Sequence, residues 1–453
     1  MDQELIALTH VCRGWRDAFI SRSSLWTQLD FTDVDKTRTY IQRSRSSPLD
    51  LDFTVGEVID DAFALVIPHI RRLRSLVIDQ NTALPSALRH FRCHTPLLEK
   101  LDIKIVSYRD PVLDGALFNT DISSLRDLRL GGVITHVPWK SLANLQVAYL
   151  KSCRHSYETT QMLDFFESAP LLHTVLLSYP MPLTSSDAPQ RRIVPLCHLK
   201  SFSISASPLP STLLRHLRIP IGASLISEFH FLGGESPFLD YHPERSPNFD
   251  NISHITTINF FFARPKCVRL SGPSGSLRVI AWDSPRSASS SYHTDCQMLH
   301  SLGHPMLSKI QKLVISEYRN RKRAKDDGCP IFKTLSTTND LRTFVLIDSH
   351  FLPLILAWDP EQNPLNLILC PSMEELVLYI VQHLDDLLLK CLTTMAKNRA
   401  SRGAKLSSIT IAIRVLCGHP VEKDLSKLRK YVTHVEYREP DSVPPPWDVI
   451  PGE

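Results

Sequence analysis

The sequence contains little glycine and no closely spaced cysteines. Glycine supplies 15 of the 453 residues, about half its usual share, which excludes a collagen-like or glycine-rich chain. The ten cysteines are scattered, and even the nearest two, Cys370 and Cys391, lie far apart in the sequence. A disulfide framework or a zinc ribbon needs closer spacing. We therefore expect free thiols and a reducing location, in the cytoplasm, the nucleus or both.

A charge excess and long hydrophobic runs are also missing. The 51 Lys and Arg residues nearly balance the 47 Asp and Glu residues, so the net charge of +4 gives no general attraction to nucleic acid or membrane. Apolar runs such as 351–358 are too short to cross a bilayer. Asp2 and Glu4 stand where a signal peptide would be basic and then apolar. We expect neither nucleic acid nor membrane as a partner.

What the chain has is a large apolar fraction and a short repeated phrase. The length is about three times that of a usual domain, which requires several domains or a repeating structure. The phrase is apolar-x-x-apolar-x-apolar, as in Leu125, Leu128 and Leu130. Its copies begin at Leu73, Leu98, Leu125, Leu145, Leu172, Leu199, Ile226, Ile255, Ile310, Leu341, Met373 and Leu406, with a weaker copy at Leu277.

The spacing of these copies predicts one strand and one helix for each. Adjacent copies begin 20 to 33 residues apart, and each phrase ends in the alternation of a half-buried strand. Between copies, residues such as Phe63, Ile67 and Ile70 recur at helical spacing. The predicted helical segments are 60–70, 86–94, 157–169, 210–217, 294–302, 384–397 and 424–431.

Strands that run in one direction and are joined by helices form a parallel sheet with right-handed crossovers. A single strand and helix cannot bury its own apolar face, but a stacked neighbour can cover it. The sequence therefore predicts an α/β fold in which a right-handed solenoid carries parallel strands on its concave face and helices outside.

The phrase resembles the leucine-rich repeat of ribonuclease-inhibitor-like proteins. Leu145, Ala148, Leu150 and Cys153 match its fuller form, which has Asn or Cys three residues after the last strand position. Elsewhere this polar position is lost, so the repeats are degenerate. The resemblance spans roughly 70–440 and implies an irregular arc. We expect the solenoid at 29–440 and a Pro-rich tail at 441–453.

The first residues carry a different pattern. From Glu4 to Asp17, an apolar stripe at helical spacing is formed by Leu5, Leu8, Val11, Cys12 and Trp15. A break follows at Ser21, and Leu25 and Trp26 begin a second apolar element. The segment predicts an amphipathic helix followed by a helical turn.

Residues 11–13, 15–16 and 24–26, with the continuation at 29–31 and 46–51, resemble the latter half of a fungal-type F-box. We place this helical remnant at 1–28. In that family the module docks on a Skp-family adaptor joined to a cullin scaffold, and the repeats hold a protein substrate for ubiquitin transfer. The resemblance implies a substrate receptor that is not an enzyme and acts as a monomer within a complex. The alternative is a repeat scaffold that binds a partner without the adaptor.

The resemblance implies adaptor contacts at six candidate residues. For Leu8 and Trp15 the competing interpretation is packing inside the helical module. The family's opening helix, with its Leu-Pro and Ile-Phe residues, has no counterpart here, so we expect either a coding region that begins further upstream or a truncation with weakened ligase assembly. The candidates are Leu5, Leu8, Val11, Trp15, Leu25 and Trp26.

Patterns for enzymatic chemistry are missing from the sequence. Neither a Walker loop nor G-x-G-x-x-G occurs, and 272–276 has the wrong order for a nucleophile elbow. We expect no catalytic residue, no cofactor and no bound metal. Two groups have spacings that a zinc site could use, although ordinary repeat helices explain them as well. They are His293, Asp295, Cys296, His300 and His304, and a weaker group at His90, Cys93 and His94.

One dense basic run occurs, at 319–325, and we interpret it as a solvated loop, with a nuclear import signal as the alternative. Pro- or Ser-rich inserts interrupt the repeats, and such loops are where recognition is expected on a rigid scaffold. Tolerated surface variation is the competing interpretation. The inserts are 179–195, 233–251, 265–276, 284–292 and 352–371.

Overall fold

The chain divides into two compact units, residues 1–220 and 221–453, and each is described by itself. The structure is a computed structural model. It describes residues 7–8, 10–53, 60–80, 91, 94–105, 112–113, 122–132, 134–135, 142–151, 159–178, 192–205, 211–231, 256–261, 266–273, 275–283, 309–316, 338–347, 355, 359, 368–380, 386–413 and 425–438.

The first unit is built on a parallel sheet whose strands follow the chain. Its pairing order is β1, β2, β3, β4, β6, β8, β9 and β11, and every pair in it is parallel. Two further parallel pairs, β5 with β7 and β10 with β12, form small separate sheets. The elements are α1 Arg13–Ser21, a 3-10 helix Ser23–Trp26, β1 Gln28–Leu29, α2 Val34–Ser44, β2 Leu49–Phe53, α3 Asp60–Val66, a 3-10 helix Ile67–Arg72, β3 Leu73–Gln80, β4 Lys100–Ile105, β5 Val112–Leu113, β6 Asp127–Gly131, β7 Ile134–Thr135, β8 Val147–Lys151, α4 Thr159–Ser168, β9 Thr174–Ser178, β10 Val194–Pro195, β11 Ser201–Ser205, α5 Ser211–Leu214 and β12 Leu217–Arg218.

The repeated phrase supplies the core of this sheet. Leu125, Leu128 and Leu130 are at most 2% exposed, and the strand residues Asp127 and Arg129 face the other side of the sheet half-buried. Register aligns the phrases, since Leu128 pairs with Leu101 on one side and with Ala148 on the other. Each apolar side chain therefore packs beside its equivalent in the next strand, which is the burial that a single unit cannot provide.

A ladder of shared backbone acceptors marks the entry to each strand. The carbonyl of Glu99 accepts the N–H groups of Arg126 at 2.8 Å and Asp127 at 3.0 Å. The carbonyl of Gln146 likewise accepts those of His173 and Thr174. Because each carbonyl holds two consecutive donors of the next strand, the ladder fixes where that strand begins.

The second unit has the same kind of sheet with one irregular region. The pairing order is β13, β16, β15, β14, β17, β18, β19, β20 and β21, and its last four pairs run parallel in chain order. The elements are β13 Ser224–Phe231, β14 Thr257–Phe261, β15 Lys266–Gly272, β16 Gly275–Asp283, β17 Lys312–Ser316, β18 Thr343–Ile347, β19 Glu375–Ile380, α6 Asp386–Ser401, β20 Ser408–Ile413, α7 Ser426–Arg429 and β21 His434–Arg438.

The irregular region corrects one expectation. The insert predicted at 265–276 contains strand β15, which pairs antiparallel with both β14 and β16. Only four residues separate β14 from β15, and two separate β15 from β16. A parallel connection needs about a dozen residues, so links this short force adjacent strands to turn back. The phrases at Ile255 and Leu277 are therefore not neighbours in the sheet, because β15 lies between their strands.

The helices follow the predicted intervals in part. Helix α4 lies within 157–169 and buries Met162, Phe165 and Phe166. Helices α3, α5, α6 and α7 likewise fall in or across predicted segments. Apart from residues 91 and 94, the segments 86–94 and 294–302 lie outside the described residues. Helix α2 was missed, although Asp33 caps it by accepting the N–H of Lys36 at 2.8 Å.

These elements confirm a mixed α/β chain with parallel strands and helices. A further finding concerns membranes. Among the helices that the structure describes, none combines the length and the apolar character needed to cross a bilayer.

Helix α6 ends on a glycine that its geometry requires. Gly403 has φ +85°, and no heavy atom would lie within 4 Å of an added Cβ. The N–H of Ala404 bonds to the carbonyl of Arg399, and that of Gly403 to Ala400, which is a Schellman end. Arg399 itself is fully buried and donates to the carbonyls of Leu369 and Cys370, which tie the helix to the turn before β19.

We predict that Gly403→Ala lowers the free energy of unfolding by about 1 kcal/mol, because L-residues other than Asn and Asp are strained at this φ. Gly403→Asn is the matched control and should cost clearly less, since Asn tolerates the left-handed region. Urea unfolding followed by far-UV circular dichroism measures both variants. Equal losses for Ala and Asn would point to a cause other than the backbone angle.

Candidate functional site

The N-terminal helix is shorter than the sequence predicts. Cys12 is extended, with φ −155° and ψ 168°, and α1 begins after it, where the N–H of Arg16 bonds to the carbonyl of Cys12. The expected continuous helix from Glu4 to Asp17 is therefore wrong, because its path breaks at a turn through His10 and Val11. Val, His, Cys and Gly are weak helix formers, and no side chain caps α1.

The break separates the candidate residues that were expected on one stripe. Leu8 precedes the turn and is half-buried, whereas Trp15 lies on α1. Leu5 lies outside the described residues, and Leu25 is half-buried in the 3-10 helix. The candidates therefore do not form one continuous helical face.

Helix α1 buries none of its residues, and two apolar side chains, one on the helix and one in the turn before it, are open to solvent. Val11 is 63% exposed and Trp15 is 49% exposed. The Trp15 ring contacts Phe19 one turn later, with ring centroids 6.0 Å apart. When a partner covers apolar side chains exposed in this way, their removal from water stabilises the complex. A nine-residue helix also gains order from such a partner, since short helices are marginal alone.

Trp26 does not belong to this exposed surface. It is 0% exposed, and its Nε1–H donates to the carbonyl of Phe19 at 3.0 Å. The ring meets Tyr40 edge to face at 5.1 Å, and the guanidinium of Arg43 lies 4.3 Å from its centroid. Trp26 is thus a core residue that holds the end of α1 against α2, and its side chain offers no exposed surface to a partner.

Polar bonds extend this attachment into the sheet. Ser47 Oγ donates to Ser23 Oγ at 2.7 Å, which joins the segment before β2 to the 3-10 helix. Arg72 donates to Ser44 Oγ and to the carbonyl of Ser47 at 2.7–2.9 Å. Burial lowers the pKa of Arg72. These polar contacts therefore fasten the N-terminal elements to the first strands, and Arg72 was not among the residues that the sequence singled out.

We predict opposite outcomes for the two tryptophans. Trp26→Ala should lower the free energy of unfolding by about 3–5 kcal/mol, because it empties a core position and orphans a backbone acceptor. Trp15→Ala, on an exposed face, should change it by less than about 1 kcal/mol. Urea unfolding of the two variants measures this difference, and a similar loss for both would mean that Trp15 is packed.

The solvent-side face of the first sheet is the other candidate surface. It carries paired charges on β2 to β6. Arg74 Nε donates to Asp50 Oδ1 at 2.9 Å, and Lys104 Nζ lies 3.5 Å from Asp79 Oδ2. Asp50 raises the pKa of Arg74 through this hydrogen bond. On β8 to β11 the same face is neutral apart from exposed Lys151 at the end of β8, with half-buried Val147, Tyr149, Thr174, Leu176, Ser178, Ser201, Ser203 and Ser205.

At the boundary between these two halves, Arg129 is held rigidly. Its Nε and Nη2 donate to Asp127 Oδ1 and Oδ2 at 3.0 and 3.1 Å, and its guanidinium lies 4.7 Å from the ring centroid of Tyr149. The hydrogen bonds to Asp127 raise the pKa of Arg129. Two bonds and a stacked ring leave this side chain little rotamer freedom, so it is preorganised for a further contact.

Asp102 is an unusual carboxylate on the same face. It is 6% exposed, and its Oδ1 has no hydrogen-bond partner among the described residues. Burial raises its pKa, although the charges of Lys104, Arg129 and Lys100 oppose the shift. Its register partners on the neighbouring strands are Val77 of β3 and Arg129 of β6.

A raised folded-state pKa means that the folded chain binds more protons than the unfolded chain between the two pKa values. The contribution of Asp102 to the free energy of unfolding therefore falls as the pH rises through that window. We predict that Asp102→Asn raises the free energy of unfolding at pH 7, and that this gain shrinks below the ordinary pKa of 3.8. Urea unfolding at both pH values measures it, with Asp79→Asn as the control for the change in net charge. A gain that is equal at both pH values would contradict the burial of a charge as the cause.

One predicted insert is fastened at its end. Arg192, near the end of 179–195, donates to Asp164 at 2.6 Å and to Glu167 at 2.7 and 3.0 Å on α4. The hydrogen bond to Glu167 is the main cause that raises the pKa of Arg192. This contact places the insert's end beside a helix, away from the strand face.

Several predicted sites cannot be located. The group at 293–304, His90 and Cys93 of the weaker group, the basic run at 319–325 and the inserts 233–251 and 284–292 lie outside the described residues, whereas His94 is described and exposed. Within the described part of the chain, no group of three or more His, Cys, Asp or Glu side chains is arranged to hold a metal ion.

No model of a known protein family matches the chain, and no curated protein matches it.

Proposed function

We propose that this protein is a substrate-recognition subunit of a Skp-cullin-F-box type ubiquitin ligase, which binds a protein substrate through its repeats and does no chemistry itself. The observation that carries the proposal is the exposure of two apolar side chains, Val11 in the turn before α1 and Trp15 on α1, a helix that buries none of its own residues. This surface coincides with the segment that resembles an F-box.

The way α1 is attached supports a docking role. Trp26 fixes the end of α1 through the carbonyl of Phe19, and Arg72 and Ser47 fasten the following elements to β2 and β3. A partner bound to α1 would thus be held at a fixed place relative to the first strands. Such rigid coupling is what a receptor needs to present a substrate, because a loose link would lower the effective concentration of the substrate at the ligase.

The strands support the other half of the proposal. In the first unit, eight strands pair in parallel, mostly as phrase beside phrase, with helices in some of the connections. We infer that the strand–helix repeats within this unit stack as a right-handed solenoid like that of leucine-rich-repeat proteins. The face made by the residues between the buried positions would then be its concave, partner-binding side.

We predict that the chain captures a purified Skp-family adaptor in a pull-down, and that Trp15→Glu lowers capture at least tenfold, because a charge would be buried at the centre of the contact. Ile193→Glu is the matched control. Ile193 is equally exposed at 49%, but it lies between Arg192 and the start of β10, away from the N-terminal segment in the sequence, so capture should be unchanged.

No capture by the unmodified chain would overturn the receptor role and favour a repeat scaffold that binds its partner without the adaptor. Equal losses for Trp15→Glu and Ile193→Glu would mean that α1 is not the docking element. Far-UV circular dichroism of both variants separates lost contact from lost folding.

A further inference from the structure

Positive charge is concentrated in the last part of the second unit. Residues 386–438 contain eleven Lys and Arg residues but four Asp and Glu residues, a formal charge of +7 in a chain whose net charge is +4. The rest of the chain is therefore acidic by three charges. A charge excess held in one segment favours a charged partner for that segment, although the overall composition conceals it.

Six of these cations are exposed on two contacting helices or directly after them. Helix α6 contacts α7, and each buries leucines such as Leu392 and Leu428 on its inner side. The described carboxylates of this stretch are Asp386 and Glu436, and both have contacts of their own. Within the described part of the chain, none of the six cations forms an ion pair. We call their surface the basic face of α6 and α7, and it consists of Lys390, Lys397, Lys405, Lys427, Arg429 and Lys430.

The exposed residues of α6 form a stripe along the helix. They recur at alternating spacings of three and four residues, which places them on one side. Lys390 and Lys397 lie two turns apart, a rise of about 10 Å along the axis. Leu387 is 56% exposed, so an apolar side chain stands at one end of the stripe. The stripe consists of Leu387, Lys390, Thr394, Lys397 and Ser401.

This concentration of charge is unfavourable to the chain by itself. Like charges held close together repel one another and destabilise the compact state. Cations near the end of a helix are compensated by its macrodipole, but that effect is confined to the last turn and does not reach Lys390. Carboxylates or phosphates of a partner would offset the repulsion.

The surroundings of these cations favour a protein as the source of the negative charge. Five of the six are lysines, which lack the planar fork with which arginine grips phosphate. The described aromatic residues of this stretch, Tyr431 and Tyr437, are half-buried, so they present no open ring on which a base would stack. Leu387 alone is too little apolar area for insertion into a membrane interface. In a protein contact, its burial adds to the paired charges.

We infer that the basic face of α6 and α7 binds an acidic amphipathic helix of a partner protein. Two helices that lie side by side present residues to each other with a repeat of seven. Carboxylates seven residues apart on the partner would therefore meet Lys390 and Lys397, and an apolar side chain would cover Leu387. The inference goes beyond the receptor role, which depends on α1 in the first unit.

The test selects binders for the full chain from a displayed library of helical peptides of twenty-one residues. The expected result is a consensus with two acidic residues seven apart and an apolar residue on the same face. A synthetic consensus peptide should bind K390Q/K397Q about tenfold more weakly than wild type in fluorescence anisotropy at low salt. The matched control is K309Q/K312Q, which removes two exposed lysines at β17 and should leave binding unchanged.

Two further probes decide the class of the partner. They are a DNA duplex of twenty base pairs and vesicles of phosphatidylserine with phosphatidylcholine. If either binds more tightly than the peptide and depends on Lys390 and Lys397, the partner is a nucleic acid or a membrane and the inference is wrong. Recovery of no binder, a consensus without the paired acids, or equal binding by K390Q/K397Q would also overturn it.

Adaptor capture separates this inference from the proposed function. K390Q/K397Q should capture the Skp-family adaptor as well as the unmodified chain does, while its peptide binding falls. Loss of capture in this variant would mean that the basic face belongs to the adaptor site and would overturn a separate partner. Failure of capture by the unmodified chain with peptide binding intact would reject the receptor role and leave this inference supported.

Discussion

Each strand in the first unit buries its apolar side chains only because an equivalent strand lies beside it. Leu128 is fully buried between Leu101 and Ala148, its partners in register on either side. Nothing in a single strand and helix could remove these side chains from water. This alignment also arranges the opposite face of the sheet, because the residues between the buried positions then form rows there.

Those rows explain why charge can be organised here without a net charge on the chain. Residues two apart in a strand share a face, and parallel register places equivalent positions side by side. Lys104, Gly131 and Lys151 thus become neighbours although they are 27 and 20 residues apart in sequence. The nearly balanced composition conceals this local arrangement, since the opposite charges of Asp79 and Asp127 are paired beside it.

In the N-terminal segment, the two tryptophans Trp15 and Trp26 have different roles. Trp26 is buried in the fold, where it donates a hydrogen bond to the carbonyl of Phe19 and contacts Tyr40 and Arg43. Trp15 is left on a helix without a buried residue. The resemblance to an F-box treated both as candidates for adaptor contact, and only their burial distinguishes them. The proposed receptor role therefore depends on α1, while the stability of its attachment depends on Trp26.

The repeated phrase was sufficient to predict the strands of most repeats, because it encodes burial by position and its alternation sets the exposed face. The sequence also located α4 and α6, whose apolar residues recur at helical spacing. It missed α2, where Thr37 and Tyr40 are buried but no regular apolar stripe marks the helix. It misread 265–276, since the direction of β15 is decided by link length and by which edges of the sheet are free to pair. The sequence did not predict that Trp26 is buried, that Arg129 is held by Asp127 and Tyr149, or that two lysines pair with Gly131, because these are tertiary contacts. Those contacts join residues from different repeats, so their spacing in the sequence carries no signal, whereas the periodic burial within each repeat does.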